Sequence, residues 1–367
     1  MMTHEQYLAT KRFPALDGVR AIAAVLVIVF HYGGPSLSRA NGWIGVHLFF
    51  VMSGFLITTL ALREEDRNGR ASLANFYVRR AFRILPVYYV IVAMIVAFLY
   101  LRGEIRTGFS KGLGWNAVFM GEFHPMTMFG QAWTLGVEQK FYILWPLLAF
   151  AIAGLGFVKR LSLALGLVTM LIVLVAVIPY ASAFASILVG CALAIALHYR
   201  KGFAALRVFT HPAVGIVVAA ALVAVQMYIY EIGAFFHDEG NVYTVLGYVV
   251  LAALLVPSLV AGGSPLTWVL SLAPMRWIGE RSYALYLIQQ LAAAVVAAAL
   301  PQFGTHRNLT AVAVTIAGLL MADVLYRWVE LPMIDVGRRI IARRQERRAR
   351  RETAPEAVAR PEPAPVG

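Results

Sequence analysis

Ten stretches of this 367-residue chain are apolar for long enough to cross a bilayer. A bilayer constrains a fold more tightly than water does, because every backbone N–H and C=O must find its partner inside the protein. Runs of about 17 to 25 residues fall near 14–33, 43–62, 84–101, 131–155, 161–179, 182–198, 213–231, 242–261, 278–300 and 309–329. The expected fold is therefore all-α, a polytopic membrane bundle of about ten transmembrane helices. Composition agrees: 60% of residues are hydrophobic and 14% charged, more apolar than a soluble domain of this size.

Lysine and arginine set the orientation. With both termini cytoplasmic, the inner segments hold Lys11, Arg12, six arginines from Arg63 to Arg83, Lys159, Arg160, Arg200, Lys201, Arg207, Arg276, Arg281 and the C-terminal run. The outer loops hold only Arg39, Arg102, Arg106, Lys111 and Arg307. The net charge of +13 does not point to nucleic acid, since eight of the 32 basic residues sit in "RRIIARRQERRARRE", directly after an apolar segment. That is the place for an anchor to anionic lipid headgroups. Residues 1–335 are read as the transmembrane domain and 336–367 as a basic, then Pro/Ala-rich cytoplasmic tail, largely disordered. The first apolar run lacks a small-residue cleavage site, so it reads as a retained helix rather than a signal peptide. The lone Cys191 cannot form an internal disulfide.

Several spans carry groups that are costly in lipid. "RAIAAVLVIVFHY" opens with Arg20 and closes with His31. Eleven residues at 100° return a helix to within about 20°, so both side chains share one face about 16 Å apart. Either that face lines the protein interior, or Arg20 snorkels to headgroups and His31 is an interfacial residue. In "GWIGVHLFFVMSGFLIT", Gly54 and its neighbours allow close helix contact, and His47 sits near the outer end. In "FYVRRAFRILPVYY", Arg79, Arg80 and Arg83 cluster on one side before Pro86, which should break or kink the helix. The cluster is either an orientation signal or a phosphate site, since guanidinium forks suit phosphate oxygens. "QAWTLGVEQKFYILWPLL" places Glu138 inside an apolar run, where it needs a partner. Its Trp133, Tyr142 and Trp145 also fit an aromatic belt. No metal site is expected.

These stretches, with "SYALYLIQ", resemble in order the acyltransferase-3 family of integral membrane acyltransferases, over about residues 13–335. The resemblance implies an enzyme of the bacterial cytoplasmic membrane. Such an enzyme takes an acyl group, usually acetyl, from cytoplasmic acyl-CoA and passes it to a hydroxyl of a glycan or lipid-linked sugar at the outer face. By that resemblance His31 is the catalytic histidine, Arg20 its partner, Arg80 and Arg83 the arginines that hold the CoA phosphates, and Glu138 the acidic residue of the fourth span. Acyl-CoA is then a substrate, and no permanently bound cofactor is expected. The chain departs from the family pattern at His47, where relatives often have Asp or Glu, and at Gln289, where many have His. Some members carry an added esterase-like domain; none is expected here.

On this reading His31 removes the proton of the acceptor hydroxyl, Glu138 orients it, and Ser53, Gly54, Trp133 and Tyr142 shape the acyl pocket. An acyl-histidine intermediate and Ser53 as nucleophile are the alternatives. The competing class is a transporter or proton-coupled permease, in which buried His, Glu and Arg form an ion path. Phosphate-binding arginines at the cytoplasmic face discriminate between the two.

Overall fold

The computed structural model of the chain describes residues 2–103, 109–123, 129–151, 155–175, 177–178 and 180–353. Among the described residues every regular element is helical. α1 (His4–Ala9) precedes α2 (Pro14–Tyr32), α3 (Gly45–Asn68) and α4 (Leu73–Leu101). After α5 (Phe109–Ala117) come α6 (Trp133–Phe150), α7 (Phe157–Val173) and α8 (Ala181–His198). Next are α9 (Arg200–Ala205), α10 (Pro212–Met227), α11 (Ile229–Phe235) and α12 (Val242–Pro257). α13 (Pro265–Leu270), α14 (Ala273–Ala299), α15 (Arg307–Leu325) and α16 (Leu331–Thr353) complete the chain.

All ten expected segments form helices, but they do not qualify equally as spans. Among the described residues, seven helices are long and apolar enough to cross a membrane, and α10 with α11, bent by 78°, makes an eighth if taken as one. The other two are α6 and α7, of 18 and 17 residues. Glu138, Gln139 and Lys140 dilute α6, and α7 is short for a bilayer crossing. The chain is a multi-pass, all-α membrane protein.

Local chemistry starts the helices. Pro14 stands at the first turn of α2, where its missing N–H costs nothing. Ser72 caps α4 by accepting from the Asn75 amide at 3.4 Å. Pro86 does not break the helix: α4 continues through it. Tyr283 on α14 donates to the Ile84 carbonyl at 3.0 Å and ties the two helices together beside that point.

Helix α3 is the hub, packed against α2, α6, α8 and α12. Small residues bring its backbone close to α8: a Cβ on Gly54 would collide with the Ile187 carbonyl, and one on Gly190 with that of Val51. Helices α2 and α14 meet the same way, Gly279 lying against the Asp17 carbonyl. Arg12 near the start of α2 bonds Glu280 of α14, and Arg307 beyond the end of α14 bonds the His31 carbonyl, so the two helices run in the same direction.

The stretch from residue 336, expected to begin a disordered tail, continues α16 to Thr353. Its first turns belong to the bundle: a Cβ on Gly337 would stand 3.0 Å from the Phe82 Cβ. Residues 354–367, the Pro/Ala-rich part of that expectation, lie outside the described residues.

Candidate active site

Three helical stripes converge on one cavity of about 190 Å³. Helix α6 contributes Thr134, Glu138 and Tyr142, spaced i, i+4, i+8 and hence stacked on one face. Helix α3 contributes Val46, Phe49, Phe50, Ser53, Leu56, Ile57 and Leu60, an unbroken i, i+3, i+4 stripe that is apolar except at Ser53. Helix α4 contributes Arg80, Arg83 and Ile84, α2 contributes Arg20, and α14 contributes Ser282, Tyr283 and Tyr286.

Glu138 is the hydrogen-bonding centre. Ser53 Oγ donates to its Oε1 at 2.9 Å, and the Tyr142 hydroxyl donates to its Oε2 at 2.9 Å. Two donors fix the carboxylate, which satisfies the requirement that a buried acid find partners. Arg80 lies over the Tyr142 and Phe76 rings at 5.5 and 5.8 Å. Arg20 is 3.9 Å from Asp17, one turn earlier on α2. Arg83 Nε stands 3.9 Å from the carboxylate of Glu330.

Toward the end of the bundle that carries Arg63 to Arg83, the cavity meets a wider mouth of about 460 Å³, sharing Arg20 and Arg83 with it. Lys11, Arg12, Arg63 and Arg338 make that mouth basic, with Asp17, Glu280 and Glu330 interspersed. Arg12, which lies before the first span, donates to Glu280 at 2.8 Å, and this bond holds its guanidinium above its ordinary pKa. Arg63 is clamped by the Tyr7 and Phe13 rings at 5.4 and 5.2 Å and donates to the Tyr7 carbonyl at 2.9 Å. It anchors the N-terminal segment as one wall of the mouth. Glu330 is 1% exposed and neither of its oxygens has a hydrogen-bond partner among the described residues. A π-helical turn, Tyr326–Glu330, carries it there, a distortion found often at functional sites.

The structure thus brings together Arg20, Ser53, Arg80, Arg83, Glu138 and Tyr142. The others lie elsewhere. Arg79, grouped with its neighbours by spacing, turns to Glu64 at 2.6 Å. Gly54 faces α8 rather than the cavity. Trp133 stacks on Tyr180 with centroids 4.8 Å apart, just off the cavity wall. His47 is buried against Ser186 Oγ at 2.8 Å. Gln289 is 1% exposed and donates to the Tyr286 carbonyl at 3.0 Å.

His31 is not brought to Glu138. It is exposed at the last turn of α2, beside Phe30 and Tyr32, and does not line the cavity. The separation follows from the α2–α3 contact, where Gly45 rests on Ala23. Ser53 lies eight residues from that contact toward the basic end, and His31 eight residues the other way. At 1.5 Å per residue the two stand roughly 20–24 Å apart along the bundle. The orientation of His31 by Glu138, expected from the sequence, is therefore replaced by the Ser53–Glu138–Tyr142 cluster. Thr134, Tyr283, Tyr286 and Glu330 were not singled out from the sequence. The stripe on α6 was the available signal for Thr134, and the "SYALYLIQ" motif holds both tyrosines; nothing in the sequence marked Glu330.

A basic mouth thus opens onto a hydroxyl–carboxylate cluster within the helix bundle. Residues 13–327 match the profile of the acyltransferase-3 family, described as an acyltransferase domain. The chain belongs to that family. Among curated relatives it is 28% identical to peptidoglycan O-acetyltransferase OatA of Listeria monocytogenes, over 88% of this chain and 56% of that protein. It is 27% identical to the putative peptidoglycan O-acetyltransferase YrhL of Bacillus subtilis, over 93% and 57%. It is 24% identical to O-acetyltransferase OatA of Staphylococcus aureus, over 91% and 59%. The chain thus spans little more than half the length of these relatives. No solved structure matches it.

Proposed function

We propose that the protein is a membrane O-acyltransferase that moves an acyl group, acetyl in the first instance, from cytoplasmic acyl-CoA to a hydroxyl of a glycan or lipid-linked sugar at the outer face of the bacterial cytoplasmic membrane. One observation carries the reading: a single cavity joins three arginines, Arg20, Arg80 and Arg83, to a serine hydrogen-bonded to a carboxylate. Guanidinium groups suit the phosphates of the donor. The apolar stripe of α3 suits its acyl chain and pantetheine arm. The bias of lysine and arginine toward the same end supports a cytoplasmic mouth.

In this reading the donor half of the reaction takes place at the arginines and Glu138. His31, at the other end of α2, belongs to the acceptor half, where an imidazole can hydrogen-bond the incoming glycan. The names of the relatives favour a cell-wall glycan as acceptor.

The test compares alkali-labile acyl esters on the surface glycans of cells with the gene, without it, and with it restored. Esters that vanish and return with the gene are expected. An unchanged ester profile, with the protein present in the membrane of the control cells, would overturn the proposal.

A further inference from the structure

We propose that Ser53 is the first covalent acceptor of the acyl group, with Glu138 as its base. This rests on the acyl-CoA reading above and adds an intermediate and a nucleophile to it. Some hydroxyls in this bundle fall back on their own helix. Ser186 donates to the Ser182 carbonyl at 2.6 Å, and Thr315 to that of Ala311 at 2.7 Å. Ser53 instead crosses from α3 to α6 and donates to Glu138 Oε1 at 2.9 Å. The carboxylate is itself held through Oε2 by the Tyr142 hydroxyl at 2.9 Å. A nucleophile, a base within hydrogen-bond reach and a third group orienting the base form the arrangement that activates a hydroxyl.

The surroundings fit the step. Ser53 is the one polar position in the α3 stripe along the cavity, so the oxygen faces the space that also holds Arg20, Arg80 and Arg83. A donor whose phosphates meet those arginines reaches inward along an apolar wall and arrives at Ser53. His31, some 20 Å away by helix rise, is out of reach of the same thioester.

The atoms balance. Ser53 Oγ attacks the thioester carbonyl and its proton passes to Glu138. The C–S bond breaks, and the CoA thiolate takes that proton to leave as free thiol, which restores the carboxylate. The acyl group is now an ester on Ser53. In the second half a hydroxyl attacks the ester carbonyl. Its proton passes to Glu138 and on to Ser53 Oγ as the C–O bond breaks.

The experiment uses the purified full chain in detergent with acetyl-CoA and no acceptor. Binding is followed by calorimetry, thiol release by a chromogenic disulfide reagent, and the adduct by peptide mass spectrometry after acid quench. One thiol per protein should be released in a burst, with one acetyl group on the peptide that contains Ser53, removable by hydroxylamine. Ser53→Ala should abolish burst and adduct while acetyl-CoA still binds. Glu138→Gln should slow the burst at least 100-fold. Ser53→Cys, which keeps a nucleophile of similar size, should carry the acetyl group as a thioester. Binding without an adduct on Ser53, or an adduct on another residue, overturns this inference and leaves the proposed function standing. Wild-type protein that does not bind acetyl-CoA overturns the proposed function itself.

Discussion

Replacing Arg80 with Ala should cost donor affinity, and the structure sets the scale. Among the described residues the guanidinium of Arg80 rests on two aromatic faces, Phe76 and Tyr142, and not on a carboxylate. Its N–H donors are available to a phosphate without breaking an existing ion pair. A charge-assisted hydrogen bond contributes about 1.5–3 kcal/mol net, so Arg80→Ala should raise the Kd for CoA about 10- to 150-fold. Arg83 differs, because its Nε already stands 3.9 Å from Glu330. Part of any phosphate contact there replaces an attraction that is lost, and Arg83→Ala should cost less than Arg80→Ala. Calorimetry on purified protein in detergent can compare CoA with pantetheine, which lacks the phosphates. Arg80→Ala should show a large loss for CoA and little change for pantetheine, and Arg80→Lys, which keeps the charge and loses the fork, should retain part of the affinity. Equal weakening of both ligands would mean that Arg80 supports the cavity wall; unchanged CoA affinity would return it to an orientation signal.

Three further outcomes are expected. His31→Ala should leave CoA binding intact while transfer at subsaturating acceptor falls about 2- to 12-fold, the loss of one hydrogen bond of about 0.5–1.5 kcal/mol; an unchanged dependence on acceptor concentration would remove His31 from the acceptor half. Gly54→Val should force α3 away from the Ile187 carbonyl of α8, lowering stability by about 1–3 kcal/mol, visible as a lower Tm in detergent; an unchanged Tm would contradict the close approach. Deleting residues 343–367 should leave turnover of purified protein nearly unchanged, since the residues of α16 that line the mouth, Leu331, Ile334 and Arg338, precede the cut; loss of turnover in detergent would place the tail at the site.

The spans were legible in the sequence because apolar run length is a direct physical requirement of lipid. Their number was less so: α6 can hold Glu138 and Lys140 because protein groups receive them in place of lipid, Ser53 and Tyr142 for the first and Glu122 for the second. Arg20, Arg80, Arg83 and Glu138 could be named in advance, since a charge inside an apolar helix needs a reason. Their true partners could not. Spacing put Arg79 with Arg80 and Arg83, yet Glu64, fifteen residues earlier on another helix, takes Arg79 away. Helical periodicity aligned His31 with Arg20 along one helix, and it carries no information on which neighbouring helix faces either end. The Ser53–Glu138 bond joins residues 85 positions apart, and only the packing of α3 on α6 reveals it. Gly54, beside Ser53 in the same motif, proved to be a packing residue for the equally concrete reason that α8 passes too close for a side chain.

Sidedness tests the central claim most directly, because the account needs the donor to enter at the basic mouth and the product to form on the other side. Inverted and right-side-out membrane vesicles from cells containing the protein can each be given membrane-impermeant, radiolabelled acetyl-CoA. Label should appear as alkali-labile ester on glycan in the inverted vesicles, where the Arg63-to-Arg83 end faces the added donor, and stay at the level of protein-free vesicles in the others. Labelling confined to right-side-out vesicles would put the arginine cluster on the outer face, away from cellular acyl-CoA, and would contradict the account.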